Sequence, residues 1–95
     1  MNLGKTLKQC RKLRGYTQSE LANQAGLSTS HLSLIEQNKR EPSLTLIKSL
    51  SKNLDIPLSI LIFLSTQEEE IPELNSNQID RLRNDLLKLV KHVTD

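Results

Sequence analysis

The residues Thr17-Gln18-Ser19-Glu20-Leu21-Ala22-Asn23-Gln24-Ala25-Gly26-Leu27-Ser28-Thr29-Ser30-His31-Leu32-Ser33-Leu34-Ile35-Glu36 spell two short helices joined by a tight turn. Thr17 and Glu20 have the spacing of a capping box, in which the threonine hydroxyl and the glutamate carboxylate each satisfy an orphan backbone N–H at a helix start. The spacing predicts a helix over Gln18–Gln24 with Leu21, Ala22 and Ala25 facing inward. Gly26 ends it, because a tight turn of this kind needs a positive φ that is costly for most side chains. Ser28 is the next N-cap, and a helix is expected over Thr29–Gln37 with Leu32, Leu34 and Ile35 on its apolar side. Asn38 tolerates the left-handed conformation that terminates it.

The same signals continue on both sides. Upstream, Leu3, Leu7, Cys10 and Leu13 recur on one helical face, and Gly15 stops a first helix expected over Leu3–Arg14. Downstream, Pro42 and Ser43 introduce a helix whose Leu44, Ile47, Leu50 and Leu54 repeat at three- and four-residue steps. Asp55, Ile56 and Pro57 then mark the turn into a fifth. Five short helices around one core are the expectation, and 95 residues suffice for one such domain plus an appendage.

Composition narrows the function. Tyr16 and Phe63 are the only aromatic residues, so single-strand binding through stacking platforms is not expected. Cys10 is the lone cysteine; no disulfide framework is possible within the chain, and its place on an apolar helical face makes it a small core residue. The N-terminal residues lack the apolar stretch of a secretory signal, and the run Ile56–Leu64 is broken by Pro57 and Ser59 and too short for a bilayer. A cytoplasmic protein is expected. His31 and His92 are the only histidines, and no metal-spaced Cys/His set, phosphate-binding glycine loop or nucleophile motif is present, so neither an enzyme nor a cofactor is expected. The overall charge of +2 divides unevenly. Residues 1–67 carry nine basic and four acidic side chains, net +5, whereas residues 68–95 carry four and seven, net −3. The first part is suited to a polyanion.

Thr17-Gln18-Ser19-Glu20-Leu21-Ala22, Ala25-Gly26-Leu27-Ser28, Leu32-Ser33-Leu34-Ile35-Glu36 and Lys39-Arg40-Glu41-Pro42-Ser43, in this order and spacing, resemble the helix-turn-helix core of phage repressors and Cro/Xre-type bacterial regulators. The resemblance extends from about Leu3 to Phe63. It implies an all-α, five-helix lambda-repressor-like DNA-binding domain that reads a double-stranded operator with the helix at about 29–37 in the major groove. Thr29, Ser30, His31 and Ser33 are then the expected base readers, being short polar residues able to sit close to base edges. Gln18, Lys39 and Arg40 match the family's phosphate contacts. Arg11 and Glu36 match positions that form an internal ion pair, and are assigned to architecture. Asn38 stands where the family commonly has glycine.

Residues 65–77 include Glu68-Glu69-Glu70, Pro72 and Asn75-Ser76-Asn77 and are expected to be an acidic connector between the domain at 1–64 and a C-terminal helix at 78–95, capped by Asn75 or Asn77. In that helix Ile79, Leu82, Leu86, Leu89 and Val93 form a seam of coiled-coil type, broadened by Leu87 and Val90. The seam can fold back on its own domain or pair with a second subunit; a homodimer is the expectation, because the family commonly binds two-fold operators. The function expected is a transcriptional regulator, with repressor the expected sense. The rival is a helix-turn-helix protein-interaction module or antitoxin-type partner of an unknown protein.

Overall fold

A computed structural model describes residues 2–66 and 75–92. These form six α-helices: α1 (Leu3–Leu13), α2 (Gln18–Ala25), α3 (Thr29–Glu36), α4 (Leu44–Leu54), α5 (Leu58–Ser65) and α6 (Ser76–His92). The fold class is the all-helical one expected, a five-helix lambda-repressor-like domain with an additional C-terminal helix.

Local chemistry sets the helix ends. The Thr17 hydroxyl accepts the Glu20 N–H at 3.1 Å while the Glu20 carboxylate accepts the Thr17 N–H at 3.0 Å. The Thr17 backbone N–H, and to a lesser degree the Thr17 hydroxyl, hold the Glu20 carboxyl below its usual pKa. Ser28 caps α3 by accepting the His31 N–H at 3.0 Å, and Ser43 caps α4 by accepting the Leu46 N–H at 3.1 Å. Each such cap contributes about 1 kcal/mol. Gly26 ends α2 at φ +77°, while Asn38 and Asp55 take left-handed conformations after α3 and α4. At α6, Asn75 and Gln78 exchange side-chain to backbone bonds of 2.8 and 2.9 Å, a second reciprocal cap. The C-terminal helix therefore starts at Ser76 behind Asn75, one of the two caps expected and two residues before the boundary drawn at 78; residues 67–74 of the expected connector, and Val93 at the end of the seam, lie outside the described residues.

The core is built from Leu7 and Cys10 of α1, Leu21 and Ala22 of α2, Leu32 and Ile35 of α3, Leu50 and Leu54 of α4, Ile56, and Leu61 and Leu64 of α5. Cys10 is fully buried, which pushes its thiol pKa up to about 11 against a smaller opposing effect of the Arg14 charge. α6 packs on α1 and α5, and Val90 joins the same core. Of the expected seam, Ile79 is buried inside the chain's own fold, Leu86 is half-buried, and Leu82 and Leu89 remain 43% and 60% exposed. α6 is thus a sixth core helix that still presents two uncovered leucines. It also satisfies the end of α5, where the Arg83 guanidinium donates to the Thr66 carbonyl.

Candidate nucleic-acid interface

α2 packs against α3, and the pair is backed by α4 behind α2 and α1 behind α3. Leu32, Ile35 and Glu36 are the buried residues of α3. Helical spacing then aims Ser30, Ser33, Leu34 and Gln37 outward, at steps of three and four residues. Ser30, Leu34 and Gln37 are exposed and Ser33 is half-buried. Thr29 is exposed at the helix start, where its hydroxyl donates to the Ser19 hydroxyl at 3.3 Å. His31 lies half-buried on the flank rather than at the centre of the outward stripe.

Two residues of this stripe escape sequence reasoning. The apolar pattern puts Leu34 on the inward side, yet it is 37% exposed. In a helix of eight residues, three inward positions already fill the buried arc, and Leu34 falls beyond its edge. Gln37 is the C-cap of α3, and its amide donates to the Ser33 hydroxyl at 2.9 Å. The surface therefore presents a carboxamide that orients one of the expected readers. Counting Gln37 as a full helical turn beyond Ser33 is the signal that would have found it.

Behind the stripe sits the ion pair. Arg11 Nε lies 2.8 Å from Glu36 Oε2 and Arg11 Nη2 lies 3.1 Å from Oε1, a bidentate fork with side-chain exposures of 8% and 2%. Arg11 Nη1 also donates to the Tyr16 carbonyl at 2.8 Å, tying the α1–α2 turn to the same charge. Gln18 completes the group: its amide donates to Glu36 Oε1 at 2.9 Å. The residue expected to meet a phosphate is thus held by the carboxylate that closes α3. Its second amide proton is not used in that bond.

Lys39 and Arg40 are exposed directly after the left-handed Asn38. Asn38 does more than turn the chain. Its Oδ1 accepts the Gly4 N–H at 3.0 Å and its Nδ2 donates to Asn2 Oδ1 at 2.8 Å, clasping the loop to the start of α1. A glycine here would make the same turn without the clasp. Gly4 permits the approach, because a Cβ at that position would lie 2.5 Å from the Ile35 carbonyl oxygen.

The arrangement is a two-helix unit with its second helix proud of the surface and a basic loop beside it. Residues 7–61 match the helix-turn-helix family HTH_3. The chain belongs to this family. It is similar to the HTH-type transcriptional regulator SinR of Bacillus licheniformis, with 35% identity over 83 residues covering 86% of this chain and 75% of that protein. The SinR of Bacillus subtilis is 41% identical over 61 residues, 63% of this chain and 55% of that protein. The immunity repressor protein of Bacillus phage phi105 is 34% identical over 96 aligned positions, 93% of this chain and 67% of that protein. The family is one of transcriptional regulators and not of enzymes. The matched span includes the whole of α2 and α3, both partners of the buried ion pair, and Lys39 and Arg40. It ends within α5, so α6 lies beyond the helix-turn-helix match. No helix among the described residues is long and apolar enough to cross a membrane.

Proposed function

We propose that the protein is a sequence-specific double-stranded DNA-binding repressor that acts as a homodimer, inserting α3 into the major groove of each half of a two-fold operator. The observation that carries this reading is the outward stripe of α3, an uncharged face of short serines with Leu34 and Gln37, bordered by Lys39 and Arg40 and backed by a buried ion pair. A helix that enters the groove needs small polar residues at its tip and rigid support behind it, while cations beside it engage the phosphates. Thr29, Ser30 and Ser33 are read as base contacts, with His31 on the flank. Leu34 is suited to the methyl group of a thymine and Gln37 to the paired donor and acceptor of an adenine. Gln18, Lys39 and Arg40 hold the backbone. Repression is the sense favoured by the name of the phi105 relative. The homodimer is favoured by the uncovered Leu82 and Leu89 of α6, and a regulator of operators works in the cytoplasm.

The test is a binding series on a selected operator and on scrambled DNA at several salt concentrations. Lys39→Ala and Arg40→Ala weaken both DNAs alike and reduce the salt slope by about one unit each, through lost counterion release. Ser30→Ala and Leu34→Ser instead change the preference among operator variants, by about 1 to 3 kcal/mol where a base contact is lost. Sequence preference that follows Lys39 while α3 substitutions alter only overall affinity would show that the domain sits on DNA the other way. Absence of salt-dependent binding to any duplex would leave the scaffold as a protein-interaction module.

A further inference from the structure

Between α6 and the α4–α5 turn lies a mostly apolar groove of about 390 Å³, lined by Arg14, Asp55, Ile56, Leu86, Leu89 and Val90 among others. Its one cation is incompletely satisfied. Arg14 Nη2 donates to the Asp55 carbonyl at 2.8 Å, but Nε and Nη1 are buried and find no acceptor among the described residues. Buried donors without acceptors are costly, more so on a charged group. The groove therefore fits an apolar helix edge that brings a carboxylate.

α6 has such an edge. Leu82, Asp85 and Leu89 follow at three- and four-residue steps, all exposed. Numbered as a heptad, Leu86 stands at a, Leu82 and Leu89 at d, Asp85 at g and Val90 at e. In a parallel pair of helices the g residue of one lies beside the following e residue of the other. Asp85 then lies beside the partner's Val90, which lines the same groove as Arg14. An antiparallel pair sets g against g, so Asp85 does not face the e position beside Arg14.

We propose that this groove receives α6 of a second copy of the chain, in a parallel two-fold pair in which Asp85 of each copy meets the partner's Arg14. The inference rests on the homodimer reading above and names its interface. Such a contact is self-complementary, as a two-fold interface must be, since each copy supplies one carboxylate and one guanidinium. The leucines close over the pair and exclude water from it. Ile79, covered by its own domain, takes no part, so the contact begins at Leu82.

Sedimentation of the full chain at micromolar concentration reads the outcome. Wild type is a dimer. Asp85→Arg places two guanidinium groups together and weakens dimerisation about tenfold or more; Arg14→Glu combined with Asp85→Arg reverses the pair and restores it. Because Arg14 also anchors the Asp55 carbonyl, Leu89→Cys provides a readout that leaves Arg14 intact. A parallel pair sets the two d positions face to face, so mild oxidation of this variant yields a covalent dimer through the two introduced thiols, while buried Cys10 stays reduced. A dimer that tolerates Asp85→Arg and gives no cross-link overturns this interface, leaves the homodimer standing, and assigns the groove to another occupant. A wild-type monomer overturns the homodimer reading and this interface together, while operator binding remains measurable by gel shift.

Discussion

Replacing Arg11 by alanine removes three hydrogen bonds at once and strands a carboxylate. In the wild type, Glu36 is held by Arg11 Nε at 2.8 Å, Arg11 Nη2 at 3.1 Å and Gln18 Nε2 at 2.9 Å, with only 2% of its side chain exposed. After Arg11→Ala one donor remains, that of Gln18, and the Tyr16 carbonyl loses the guanidinium it accepts from. Removing one partner of a buried pair costs about 3–5 kcal/mol, against a total of about 5–15 kcal/mol for a small domain. For a domain of this size each 1 kcal/mol lowers Tm by roughly 4–8 °C, so a fall of at least about 12 °C is expected. The assay is thermal unfolding followed by far-UV circular dichroism, with urea unfolding as a second measure. Arg11→Met combined with Glu36→Leu recovers most of the loss, because no charge is then stranded. That double variant stays folded yet frees the Gln18 amide, so its affinity for operator DNA falls without a fall in Tm to explain it. A drop below about 4 °C for Arg11→Ala, or no recovery in the double variant, would refute the stranded-charge account.

Three further outcomes follow from the geometry. Gly4→Ala gains up to about 1 kcal/mol of helix propensity, but its Cβ would meet backbone oxygens of Ile35 at 2.5 Å and Glu36 at 2.8 Å. Overpacking of this kind costs about 1–3 kcal/mol, and a lowered Tm is expected; a raised one would show that α1 and α3 separate freely. Thr17→Ala removes the α2 cap and about 1 kcal/mol with it. Because Glu20 has a lowered pKa, its contribution is present above the ordinary carboxylate range and disappears as pH falls through that range toward the folded value. The gap in stability between wild type and Glu20→Gln should therefore narrow in acid, as denaturant titrations at stepped pH will report. Cys10, with its thiol pKa raised to about 11, stays inert to thiol reagents in the folded protein near neutral pH and reacts on unfolding. Folding keeps this thiol protonated, so its contribution is full below the unfolded value and lost as pH climbs through about 11; rapid labelling of native protein would contradict this.

Helix starts and stops were legible because they are local. Thr17 and Glu20, Ser28, Ser43 and Gly26 act on backbone groups within three or four residues, so their spacing carries the information. The apolar face of a short helix is less legible. Leu34 and Ile35 are both aliphatic neighbours in α3, and only contact with the core separates the buried one from the exposed one. Gln37 lies just past the expected readers and acquires meaning from its bond to Ser33.

The amino-acid order alone determined an all-helical domain with a helix-turn-helix at residues 17–37 and an amphipathic helix near the C-terminus, since capping and periodicity are properties of neighbouring residues. What α6 covers was decided only by the tertiary structure, because its apolar arc is wide enough to bury Ile79 and Val90 on α1 and α5 and still leave Leu82 and Leu89 outside. The partners of Gln18 and Asn38 were decided there too. Gln18 reaches Glu36 eighteen residues away, and Asn38 reaches Gly4 thirty-four residues away. Hydrogen bonds of that separation leave no spacing to read, since they exist only once packing has brought the helices together.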